Sequence, residues 1–189
     1  MVVRPAAVAG RFYLGNADRL RKQVSDLLAG IAMPIKNIPE ALIAPHAGYV
    51  YSGATAAAAF ATLRNGAQMI TRVVLIGPAH YVHVRGIAAP TVDAFETPLG
   101  RVPVDKSALN AIADLPFVIQ DDSAHASEHA LEVELPFLQI LLASFWVVPL
   151  LIGDATPKEI AQVLLQLWDS PGTLNVVSSV GQTNVKSSG

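Results

Sequence analysis

The sequence predicts an α/β fold with a mostly parallel central sheet and helices on both faces. Short apolar runs alternate with segments of helical periodicity, the order that βαβ units take. Two of those runs halt at a proline that a histidine follows, as Ala44-Pro45-His46 and as Gly77-Pro78-Ala79-His80. A buried strand ending this way delivers its next side chains to the sheet rim, where α/β proteins place ligand sites. With 52% apolar and 15% charged residues, 189 residues suffice for one domain with a substantial core.

Along the chain, Asn16 caps a helix whose Leu20, Val24, Leu27 and Leu28 recur at helical spacing, and Gly30 stops it. Residues 31–40 form a linker, and 41–44 the first strand. Gly48 and Gly53 bracket an aromatic loop, Tyr49-Val50-Tyr51-Ser52, followed by an alanine-rich helix over 54–63 that Asn65-Gly66 closes. The second strand spans 72–76, and Pro98 and Gly100 set a hairpin bend in residues 95–100. Ser127 caps a helix beginning at Glu128, with Leu131, Leu135, Leu138 and Leu142 on one face and Pro136 kinking it.

The apolar stretch 137–153 is interrupted by Gln139, Ser144 and Pro149, too short and broken for a membrane span. It reads as the end of a helix, a turn at Ala143-Ser144 and a third strand over 147–152. Thr156-Pro157-Lys158-Glu159 is a capping box with proline at the first helical position, and Ile160, Val163, Leu164 and Leu167 form the buried stripe of that helix. A fourth strand over 174–177 leads into Ser178-Ser179, and Trp146 and Trp168 are assigned to the core or its margin.

A net charge of −2 and the lack of any Lys/Arg block disfavour nucleic acid and anionic membranes as partners. Without cysteine there is no thiolate metal site or nucleophile, so any metal must be held by imidazole, carboxylate or water. Arg4, Pro5 and Arg11 leave no apolar signal core at the N-terminus, and the default location is the cytoplasm.

Beyond His46 and His80, a second cluster stands at His125-Ala126-Ser127-Glu128-His129. His-x-x-Glu-His matches the inverted zincin signature, in which two histidines one helical turn apart hold zinc and the glutamate is the base. A Ser127 cap would leave His125 outside the helix and spoil that face. His129 is a candidate to orient substrate or shuttle a proton, or else it bonds backbone at a helix start. Asp154 could approach the same rim, or simply complement the N-terminal dipole of the helix after Thr156. Tyr49 and Tyr51 either flank an aromatic ligand or pack their loop against the sheet.

Several segments together, 4–13, 44–53, 77–80, 95–100, 128–138 and 148–153, resemble the Memo-like family, including bacterial members described as AmmeMemoRadiSam system protein B. The resemblance implies a fold similar to class III extradiol dioxygenases. It makes His46 and His80 metal ligands in the pocket equivalent to the dioxygenase iron site. Family members continue Ser-Ser with an aspartate and then a histidine, and with further helices that supply another ligand. Here Ser178-Ser179 is followed by Val180-Gly181-Gln182. The expectation is therefore a C-terminally truncated single domain over 1–179, with 180–189 a non-native or disordered tail.

Loss of those helices would expose apolar area and favour a homo-oligomer. The expected function is a vestigial or partial non-haem metal pocket, redox or dioxygenase-like, holding a divalent metal, iron ahead of copper or zinc. It would serve an unknown small molecule or peptide, with turnover left open. The alternatives are a non-catalytic binding or scaffold module and an inverzincin-type metalloprotease.

Overall fold

The structure, a computed structural model, describes residues 1–32, 38–168 and 171–179. The middle of the linker and the 180–189 tail lie outside the described residues. The elements in chain order are β1 (Val3–Arg4), α1 (Ala17–Ala29), β2 (Ala41–Ala44), α2 (Tyr49–Ala61), β3 (Arg72–Pro78), β4 (Ile87–Ala89), β5 (Ala94–Thr97) and β6 (Gly100–Pro103). There follow α3 (Lys106–Ile112), β7 (Val118–Gln120), α4 (Asp122–Ala126), α5 (Leu135–Leu141), β8 (Trp146–Ile152), α6 (Pro157–Trp168) and β9 (Thr173–Ser178). No helix among the described residues is long and apolar enough to cross a membrane.

Six strands form the main sheet in the order β2-β9-β3-β8-β4-β7. Every pairing in it is parallel except β4 with β8. The inner strands β3 and β8 are near-continuous runs of buried aliphatic residues, as expected of strands covered on both faces. At the edge, β2 alternates instead, with Leu42 and Ala44 buried and Ala41 and Ile43 exposed. Pro149 is tolerated inside β8 because its ladder partner is Leu75 on one side, while β4 pairs only with Leu151 and Ile152. A separate three-stranded sheet, β1-β5-β6, carries the expected hairpin.

The helices fall into two groups flanking the sheet: α1, α2 and α5 pack on one another, and α3 packs on α6. Asn16 caps α1 by accepting from the Arg19 amide at 3.1 Å. The Thr156 capping box closes as expected, with the Glu159 amide donating to Thr156 Oγ1 and the Thr156 amide to Glu159.

Three local expectations are corrected. Tyr49-Val50-Tyr51-Ser52 is the first turn of α2 and no loop, because Tyr49 is buried and its hydroxyl donates to the Val133 carbonyl at 2.7 Å. Tyr51 points outward at 88% exposure. No helix begins at Glu128: Ser127 is the C-cap of α4, and α5 begins at Leu135 with Pro136 in its first turn, where proline leaves the helix unkinked. Trp146 and Trp168 are surface residues at 53% and 36% exposure, one opening β8 and one closing α6.

The end of β8 is held by close backbone contact. The Gly153 amide donates to the Gly86 carbonyl at 2.9 Å, and a Cβ on Gly153 would stand 1.9 Å from the Val84 carbonyl oxygen. Gly153→Ala is therefore expected to lower stability by at least ~2 kcal/mol. The midpoint of urea unfolding measures this, and an unchanged midpoint contradicts the packing described.

Candidate metal centre

The strand order sets the site. β9 lies between β2 and β3, and all three run parallel, so their carboxyl ends open at one place on the rim. Chain leaving β2 through Pro45 presents His46, chain leaving β3 through Pro78 presents His80, and Ser178 at the end of β9 stands between them. Both proline-delivered histidines thus reach one point, their ring centroids 5.1 Å apart.

A third imidazole joins them from a distant segment. His129 stacks on His80 with centroids 4.6 Å apart and meets His46 edge-on at 5.6 Å. One nitrogen from each of His46, His80 and His129 lies within 4.8 Å of the other two. Nitrogens about 2.1 Å from a shared metal stand roughly 3.5 Å apart, so a small inward shift completes a three-imidazole site.

What brings His129 here is irregular backbone pinned by buried carboxylates. Glu128 accepts from the His80 amide at 2.6 Å, the His80 ring Nδ1 at 2.8 Å, the His129 amide at 2.9 Å and the Ala130 amide at 3.0 Å. Burial alone would raise the Glu128 carboxyl. The nearby His129 ring, the bond from the His80 ring and those from the His80 and Ala130 amides outweigh it and hold the group well below the usual carboxylate range. The His80 bond fixes Nδ1 against Glu128 and leaves Nε2 for a ligand.

Behind this segment, Arg4 donates to the carbonyls of His125 at 2.9 Å and Glu128 at 2.6 Å and pairs with buried Glu132. Glu132 also takes the amides of Ala7 and Val8 and the Tyr13 hydroxyl. Burial and the Glu132 carboxylate together push the Tyr13 phenol far above its ordinary value. A Cβ on Gly77 would stand 2.8 Å from Leu131 Cδ2 and 3.2 Å from Ala130 Cβ, so glycine in β3 lets this segment lie directly on the sheet.

His46 is buried, and its Nδ1 lies 3.1 Å from Ser178 Oγ, while its Nε2 is buried with no partner. Burial, reinforced by the neighbouring His80 and His129, lowers its pKa to about 4, so the ring is neutral at pH 7. A neutral imidazole with a buried nitrogen free of other partners is what a metal ligand requires. Ser178 Oγ also lies 2.6 Å from the Ala130 carbonyl oxygen and 2.7 Å from Oε1 of Glu134, whose carboxyl burial raises to about 8. Phe12 packs on the His129 ring at 4.6 Å, and half-exposed Tyr81 stands over His129 at 5.8 Å. Next to His46 and His80, a cavity of about 510 Å³ is lined mainly by Ile76, Ile152, Ile160, Leu164 and Val177.

The other sequence candidates lie elsewhere. His125 is buried on α4, with Nε2 at 3.1 Å from the Ala88 carbonyl and its ring against Phe95. His125 and His129 share no helical face, and the inverzincin arrangement is absent. Asp154 accepts from the Gly86 amide at 2.6 Å and belongs to the loop that closes β8. Tyr49 is a core residue. Ser178, Glu134 and Tyr81 were not singled out in the sequence; Ser178 was legible as the residue ending the strand that runs into Ser178-Ser179.

The model of the family described as Memo-like protein matches residues 4–181. A MEMO1 family protein of Aquifex aeolicus is 36% identical over 183 residues, covering 95% of this chain and 67% of that protein. One from Ignicoccus hospitalis is 38% identical over 178 residues, covering 88% and 61%. The protein memo-1 homolog of Caenorhabditis elegans is 34% identical over 182 residues, covering 93% and 51%. The chain therefore spans between half and about two thirds of the length of these relatives.

Two measurements test the electrostatics. Arg4→Leu strands Glu132 in the interior and is expected to cost about 3–5 kcal/mol, read from chemical unfolding; a loss under about 1 kcal/mol contradicts the buried pair. The second is the pH profile of the metal-free chain. His46 and His125 both have pKa values lowered to about 4, mainly by burial, so their contribution is full above the unfolded value of about 6.5 and is lost as pH falls through 4. Glu134 acts oppositely, its contribution falling as pH rises from the unfolded range toward 8. Stability should peak near pH 6.5, and Glu134→Gln should flatten the alkaline limb; a melting temperature still rising between pH 6.5 and 8 contradicts this assignment.

Proposed function

The chain belongs to the Memo-like family, and on that premise we propose that it is a metal-dependent protein holding one divalent cation on His46, His80 and His129. The observation that carries this reading is the convergence of three imidazoles at the sheet rim, with the buried Nε2 of His46 lacking any other partner. His129, expected from sequence to orient substrate or carry a proton, is proposed here as the third ligand. All four hydrogen bonds to Glu128 are used in positioning, which makes it the outer support of His80 and His129.

Imidazole suits iron, copper and zinc alike. The family resemblance carried by segments 4–13, 44–53, 77–80, 95–100, 128–138 and 148–153 extends to bacterial AmmeMemoRadiSam system B proteins, and the extradiol dioxygenase-like fold it implies favours iron and a redox or dioxygenase-like role. When bound, such an ion supplies open coordination positions for substrate and dioxygen. The chain's own residues prepare the surroundings. Ile76, Ile152, Ile160, Leu164 and Val177 exclude water and receive the apolar body of a small molecule or peptide side chain, while Tyr81 lies beside the rings of His80 and His129. The proposed setting is cytoplasmic, with neither nucleic acid nor membrane as partner, in keeping with the charge balance.

Titration of the chelator-stripped chain with Fe(II), Cu(II) and Zn(II), followed by calorimetry, tests the reading. One site per chain is expected. His46→Ala, His80→Ala and His129→Ala should each weaken it at least ~10-fold, and Glu128→Gln about 10–100-fold. Full metal occupancy in the His46→Ala/His80→Ala double variant overturns the site. Metal and ligand binding without turnover would assign the fold to recognition instead of catalysis.

A further inference from the structure

The neighbourhood of Ser178 contains more hydrogen-bond contacts than one hydroxyl proton can serve. Its Oγ lies 2.6 Å from the Ala130 carbonyl oxygen, 2.7 Å from Glu134 Oε1 and 3.1 Å from His46 Nδ1. Each of these distances requires a proton between the two atoms. A backbone carbonyl has none to give, so the proton toward Ala130 belongs to Ser178 itself. That leaves Ser178 Oγ only as an acceptor for its other two neighbours.

We infer that Ser178 and Glu134 act as positioning residues that lock the tautomer of His46: Glu134 is a neutral acid donating to Ser178 Oγ, and His46 carries its proton on Nδ1 and donates to the same oxygen. The lone pair of His46 is thereby placed on Nε2, the buried nitrogen without a partner. A second observation supports the neutral acid. Glu134 is fully buried, and its other oxygen, Oε2, has no hydrogen-bond partner. An ionised carboxylate left half-unsatisfied in the interior carries a far larger desolvation cost than a neutral carbonyl oxygen.

The spacing in the chain explains why such a lock is possible. Ala130 lies in the irregular segment and Glu134 immediately before α5, while Ser178 ends the strand between those that deliver His46 and His80. One hydroxyl thus couples the irregular segment that carries His129 to the ring of His46. The arrangement belongs to the metal-free chain and stands or falls apart from the proposed metal binding.

Two spectroscopic readings of the full, chelator-stripped chain at about pH 6 test it, a pH at which neutral histidine is observable for a depressed pKa. Long-range ¹⁵N–¹H correlation on the wild-type chain should show His46 as the Nδ1–H tautomer, and this needs no variant. Infrared difference spectra with ¹³C-carboxyl glutamate should show a protonated carboxyl stretch that is lost in Glu134→Gln. That variant should keep the His46 tautomer, because its amide can still donate to Ser178, whereas Ser178→Ala should abolish the preference. Observation of His46 as Nε2–H, or no protonated carboxyl band in the wild-type chain, overturns the assignment.

Discussion

Glu128 accepts four hydrogen bonds, from the backbone and ring of His80 and from the amides of His129 and Ala130, and in doing so ties the end of a sheet strand to a segment 48 residues away. Without that carboxylate, nothing in regular secondary structure would place His129. The segment from Ser127 to Leu131 is neither helix nor strand, so its backbone polar groups need partners that a ladder or helix would otherwise supply. Glu128 supplies acceptors for two of its amides. Arg4 supplies donors for the carbonyls of His125 and Glu128.

The same demand explains why so much charge is buried in an apolar chain. Glu132 is fully buried yet meets Arg4, Tyr13 and the amides of Ala7 and Val8, so the N-terminal segment is clamped to the site from behind. Such a cluster is costly to desolvate and gives little net stability over an apolar packing of the same shape. Its value is specificity of geometry. It holds irregular backbone in one arrangement against the flat face that Gly77 leaves open in β3, and the imidazole of His129 is held with it.

The central sheet was legible because β2, β3 and β8 are apolar runs that end in proline or glycine and β9 is an apolar run that ends at a serine pair. All four expected strands are present, the first at its expected bounds and the other three extended by one or two residues where pairing with a neighbour continues. β4, β7 and α3 were not anticipated: the strands have three residues each and the helix seven, too short for periodicity to register. His46 and His80 were legible for the same reason as the strands. The meeting of His129 with them was not, since it follows from tertiary hydrogen bonds that pattern cannot display. Taking Glu128 to Leu142 as one helix kinked at Pro136 misplaced that proline, whose position in a first helical turn is itself a signal of where α5 begins.

X-ray absorption at the metal edge of the loaded chain tests the three-imidazole centre most directly. The account predicts a first shell with the multiple-scattering pattern of three imidazoles, falling to two in His129→Ala. A wild-type shell containing only two imidazoles, unchanged on removal of His129, would contradict it.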